Sequence, residues 1–145
     1  MYHRILIAIE HSAADATILD HVRALAGLTG AELLLVHVAD GWVGRNYNEL
    51  QLRESEEMRD DRRYLEEITA DLEAAGLNVT WRLGMGDPAT EILRIAREAD
   101  VDLIAMATHG HRGLEDLVRG TTVNKVRHAA TVPVLLLRAK AQPAT

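Results

Sequence analysis

Two apolar runs constrain this chain more than any other feature. Ile5-Leu6-Ile7-Ala8-Ile9 has no polar residue, and Val101-Asp102-Leu103-Ile104-Ala105-Met106-Ala107 has only Asp102 near its start. A strand with water on one face alternates polar and apolar side chains. A strand covered on both faces does not, so both runs predict central strands of a parallel sheet.

The other elements fall around these two. Leu33 to Val38 reads as a third strand, and Val79-Thr80-Trp81-Arg82-Leu83 alternates as an edge strand does. Thr131-Val132-Pro133-Val134-Leu135-Leu136-Leu137-Arg138 reads as the last. Between them, Ile18, Val22 and Leu25 recur at helical spacing behind Ser12, the expected N-cap, and Gly30 ends that helix. A charge-rich helix is expected from about Glu49 to Ala75, after a polar loop containing Trp42, Gly44 and Tyr47. Its apolar stripe is Met58, Leu65, Ile68 and Leu72, and its charges read as a solvated face. Pro88 starts a third helix, after a turn at Gly84-Met85-Gly86-Asp87. A fourth runs from Val123. Strictly alternating strands and helices imply right-handed crossovers. The expectation is a single α/β doubly wound domain over residues 1–139. Its five-stranded parallel sheet has the order 3-2-1-4-5 with four helices, and the tail 140–145 frays.

The 145 residues suit one domain. With no cysteine, thiolate metal sites and cysteine nucleophiles are excluded. A net charge of −6 argues against a nucleic-acid surface. No apolar run reaches the ~20 residues of a membrane span, and no signal-peptide pattern opens the chain, so a cytoplasmic protein is expected. No P-loop motif, dinucleotide fingerprint or nucleophile elbow is present. The seven histidines are scattered; His109 and His111 lack partners at metal-ligand spacing, and no metal site is assigned.

One arrangement does carry chemistry. The second central strand ends at Thr108-His109-Gly110, and after nine intervening residues comes Gly120-Thr121-Thr122. If a helix starts there, its unpaired N–H groups and positive dipole end face the glycines, which makes a phosphate cradle. Spacing alone leaves open that both glycines are only loop and cap residues.

The chain resembles the universal stress protein family over nearly its whole length. The resemblance rests on Tyr2-His3-Arg4-Ile5-Leu6-Ile7-Ala8, Leu35-Val36-His37-Val38, Gly86-Asp87-Pro88-Ala89, and the cradle followed by Val132-Pro133-Val134-Leu135. Ala107 stands where the family's ATP-binding motif has its first glycine, and Glu10 where the family usually has Asp. The resemblance implies bound ATP. Ala8, Ile9 and Val38 would line the base pocket, with Glu10 at the ribose or adenine and Ala107 beside the ribose. Gly110, Gly120, Thr121 and Thr122 would hold the phosphates, and Mg²⁺ would ride on the phosphates. In a 3-2-1-4-5 sheet, strands one and four meet at the switch point where ligands bind, which points to the same crevice.

The expected function is an ATP-binding, stress-response regulatory module with an unknown protein partner, not an enzyme with an identifiable general base. A slow ATPase or phosphotransferase and a nucleotide-independent interaction module remain open. A homodimer is expected through the edge strand from Val132 to Arg138, because an uncovered apolar edge invites pairing.

Overall fold

A computed structural model describes residues 1–40, 47–108 and 113–140, with side chains at all of these except 40, 47–55 and 113–119. The strands are β1 (Arg4–Ala8), β2 (Glu32–Asp40), β3 (Val79–Gly86), β4 (Leu103–Thr108) and β5 (Val134–Arg138). Among the described residues the helices are α1 (Asp15–Thr29), α2 (Tyr47–Ala74), α3 (Pro88–Glu98) and α4 (Gly113–Ala129). All pairings are parallel and the sheet order is β3-β2-β1-β4-β5, the expected topology.

The apolar runs become central strands because each face of the sheet is covered. On one face Ile5, Ile7, Leu33, Leu35, Leu103 and Ala105 pack with Ile18 and Val22 of α1 and Leu65 and Leu72 of α2. On the other, Leu6, Leu34, Val36, Ile104 and Met106 pack with Ile92 and Ile95 of α3 and Val126 of α4. Side chains alternate between the faces along every strand, so no position of β1 from Ile5 to Ala8 is left for water.

Local signals explain most boundaries. Asp87 caps α3 by accepting from the Thr90 amide at 3.0 Å, and Pro88 sits where a missing N–H does no harm. Gly30 ends α1 in the left-handed region (φ 75°), where a Cβ would be strained. Three expectations need correction. Ser12 is not the N-cap of α1. The cap position is Ala14, without a side-chain bond, and the Ser12 hydroxyl instead accepts from the Ala14 amide at 3.3 Å. Gly84-Met85-Gly86 is not a turn but the end of β3, carried on by pairing with the long β2 as far as Asp40–Gly86. Lys140 is not frayed, since its amide donates to Thr17 Oγ1 at 3.2 Å. The rest of that tail, 141–145, lies outside the described residues, as do 41–46 of the expected polar loop and His109 and His111.

Leu65 is fully buried on α2, whereas Leu28 on α1 is 87% exposed. Leu65→Ala is therefore expected to lower stability by about 2–5 kcal/mol, through lost burial and a residual cavity. Leu28→Ala should stay within about 0.5 kcal/mol of the parent. Urea unfolding of the two variants checks both values.

Candidate functional site

The ladder between β1 and β4 runs from Ile5–Leu103 to Ile7–Ala105. Beyond it a cleft of about 170 Å³ opens at the carboxyl ends of the strands. Its walls are Ala8, Ile9 and Glu10 at the end of β1, Val38 on β2, Met106 and Ala107 on β4, Pro88 and Ile92 on α3, and Thr122 and Val123 on α4. The lining is mainly apolar, and its polar members are Glu10, His37 and Thr122.

Of the residues singled out from sequence, Ala8, Ile9, Glu10, Val38, Ala107 and Thr122 meet at this cleft. Thr121 does not. It lies on a separate groove between α3 and α4, with Leu93, Lys125 and His128. Gly120 is exposed and a Cβ there would meet nothing within 4 Å. Gly110 lies outside the described residues. The larger difference is in the helix. Gly120, Thr121 and Thr122 were expected at a helix N-terminus, but α4 starts at Gly113 and runs through them. An interior glycine costs a helix only about 1 kcal/mol, and Leu114, Glu115, Leu117 and Arg119 before it are all helix formers. The helix therefore continues across Gly120, and the amides of 120–122 are interior helix amides.

The loop between β1 and α1 is built around a residue the sequence reading passed over. Asp15 is 1% exposed. Its carboxylate accepts from the backbone amides of Glu10 (2.9 Å), His11 (3.0 Å) and Ser12 (3.2 Å), and from the Tyr64 hydroxyl of α2 (2.6 Å). Burial, and then that carboxylate, hold the Tyr64 phenol well above its usual titration range. The clamp also supports a strained residue. His11 has a φ of 63°, a conformation that costs a non-glycine residue about 1–2 kcal/mol. Its ring stacks on Tyr64 at 4.0 Å, and its Nδ1 lies 2.7 Å from Asp61 of α2. The Ser12 hydroxyl donates to Glu10 at 3.1 Å, so the carboxylate at the cleft is itself oriented from this loop.

A visible signal marked both Asp15 and Asp61. Met58, Asp61, Leu65, Ile68 and Leu72 are spaced three and four apart, which places Asp61 inside the apolar stripe of α2. Asp15 likewise stands three residues before Ile18 and seven before Val22.

A family model described as universal stress protein family matches residues 1–138. The chain belongs to the universal stress protein family. A universal stress protein of Methanocaldococcus jannaschii, MJ0577, is 30% identical to it over 160 aligned residues, spanning 97% of each chain. The solved MJ0577 structure superposes with a TM-score of 0.78 at 32% identity, over 98% of this chain and 99% of that one. Two more distant universal stress proteins share the fold. One was solved in complex with cAMP, with a TM-score of 0.69 at 17% identity and 96% and 98% of the two chains covered. The other, from Archaeoglobus fulgidus, was solved in complex with dAMP, with a TM-score of 0.65 at 22% identity and 93% and 97% covered.

Removing the Asp15 carboxylate leaves three loop amides and a phenol to find other partners. Asp15→Ala is expected to lower stability by about 3 kcal/mol, and Tyr64→Phe by about 1 kcal/mol. Denaturant unfolding of both variants tests this, and equal effects would mean the loop amides are not held by Asp15.

Proposed function

We propose that this universal stress protein binds ATP in the cleft at the ends of β1 and β4 and acts as a cytoplasmic regulatory module. The observation that carries the reading is the convergence on one crevice of Ala8, Ile9, Glu10, Val38, Ala107 and Thr122. Complexes of family members with cAMP and dAMP support an adenine nucleotide.

The chemistry of the lining suits that ligand. Val38, Ile92 and Met106 offer an apolar slot for a base, and Glu10 offers a carboxylate to sugar hydroxyls. A cleft of about 170 Å³ is smaller than whole-ligand sites of roughly 300–1,000 Å³, so the phosphates extend past it. Thr122 stands on that side. Among the described residues no cluster of three metal-ligating side chains occurs, and Mg²⁺ would be held by the phosphates and add charge neutralisation there. No helix of the described residues is long and apolar enough to cross a membrane.

Titration calorimetry with ATP and Mg²⁺ tests the site. Saturable binding is expected, weakened about tenfold or more in Glu10→Ala, since a hydrogen bond to a charged group contributes about 1.5–3 kcal/mol. Val38→Trp should abolish binding in a protein whose circular dichroism is unchanged, because the indole would occupy the base slot. No binding at millimolar ATP overturns the reading.

The same proposal includes a homodimer through the segment from Val132 to Arg138. β5 is at the sheet edge, and Val134, Leu135, Leu136 and Leu137 are all only half-buried in the single chain. Two copies paired antiparallel about a two-fold axis cover both the apolar side chains and the unpaired backbone. A dimer is expected by sedimentation at micromolar concentration, and Leu136→Asp should dissociate it by placing like charges across the axis. A monomeric parent protein overturns the dimer.

A further inference from the structure

Behind the cleft wall lies a cluster that nucleotide binding does not by itself explain. Asp61 of α2 sits between two histidines. Its Oδ1 is 2.7 Å from His11 Nδ1 and its Oδ2 is 3.4 Å from His37 Nε2, and the two rings meet edge to face at 6.3 Å. The His37 side chain is only 14% exposed, and His37 is itself one of the residues lining the cleft.

The donor arrangement around His37 is decided by its partners. Nδ1 is 2.8 Å from the carbonyl oxygen of Ile9, which only accepts, so Nδ1 carries a proton. Nε2 then carries a proton only in the imidazolium. When the ring is neutral, the Nε2 lone pair faces the Asp61 carboxylate and the two repel. When it is charged, the same 3.4 Å contact becomes an attractive ion pair. His11 donates from Nδ1 to the other oxygen of the same carboxylate. The groups facing the two rings are Glu10 at the end of β1, Asp15 of α1, and Asp61 and Tyr64 of α2. Asp15 is already committed to three amides and the Tyr64 hydroxyl, and Glu10 to Ser12. Among the described residues no Lys or Arg side chain is bonded to Asp61.

We propose that Asp61 with His11 and His37 forms a proton-operated latch that closes α2 onto the cleft wall, so that an anionic nucleotide binds more tightly as pH falls. This rests on the nucleotide reading of the cleft. Protonation draws the Asp61 turn of α2 against His37 and, through its bond to Ile9, against the end of β1. Both His37 and Ile9 line the cleft, so closing the latch orders the wall the ligand meets. The imidazolium charge also attracts an anionic ligand, and both effects act in the same direction. By reciprocity, a bound nucleotide favours protonation of the pair.

Two measurements on the full chain test this. The first is NMR titration of the imidazole resonances of His11 and His37 without ligand, in the parent and in Asp61→Asn, which keeps the shape and removes the charge. The titration midpoints are expected to fall in the variant; identical titrations overturn the latch whatever the cleft binds. The second is calorimetry with MgATP at about pH 5.5 and pH 8. The parent is expected to bind about tenfold tighter at the lower pH, in the ordinary range for coupled sites, with net proton uptake on binding. Asp61→Asn should bind like the parent at pH 8 and lose that gain. ATP's own titration is common to both proteins and cancels in the comparison. Equal pH dependence in parent and variant overturns the coupling. No heat at either pH overturns the nucleotide reading and the coupling with it, while the NMR titration still decides whether the latch exists.

Discussion

β1 and β4 are held side by side by a ladder that stops at Ile7–Ala105, and the position of the cleft depends on that stop. From β1 the chain turns toward β2 and β3, and from β4 it turns toward β5, so their two continuations leave in opposite directions. No crossover helix can cover the gap between them, which is why a crevice opens there in doubly wound sheets. Below the stop both strands are buried on both faces by apolar side chains. The rigid ladder fixes Ala8, Ile9, Met106 and Ala107 at the floor of the cleft, and the less regular segments beyond it supply the polar rim.

The rim is ordered by buried charge. Burying a lone carboxylate is strongly unfavourable, and Asp15 is tolerated because four donors surround it. That requirement works in both directions. The carboxylate needs the amides of Glu10, His11 and Ser12 to converge, and their convergence forces His11 into a left-handed conformation that the chain would not adopt by itself. Tyr64 and Asp61, three apart on one face of α2, then take hold of the same loop from the side. α2 therefore does more than cover apolar surface. It is bonded to the segment that carries Glu10.

The strands, the sheet order and the apolar helix faces were legible because each depends on a periodic pattern that burial imposes directly. The site was legible only in part. The crevice could be read from the switch point between strands one and four, and the family resemblance assigned Ala8, Ile9 and Val38 to it. Gly120 was misread because a glycine followed by two threonines favours a helix start over a helix interior, where the glycine costs only about 1 kcal/mol. Flanking propensity over Leu114 to Arg119 decides for the interior. Ser12 was misread for a related reason: it has the right side chain for a cap, but Asp15 takes the loop amides first. Asp61 was assigned to a solvated face by counting charges on α2. Its place in the 58-61-65-68-72 stripe pointed inward, and a charged residue at an inward position implies partners that local sequence does not name.

The two faces of the sheet thus contribute differently to one crevice. Val38 and Met106, with Ile92 and Val123 of the covering helices, belong to the α3–α4 side, which is apolar and shaped for a flat hydrophobic group. His37 and Ile9 belong to the α1–α2 side, where Asp15, Asp61 and Tyr64 form a polar network around the imidazoles of His11 and His37. Side chains alternate faces along a strand, so adjacent residues such as His37 and Val38 necessarily report to different layers. A ligand lodged at the strand ends touches both at once. Shape recognition and proton sensing can therefore change independently by substitution on opposite faces, without disturbing the ladder between them.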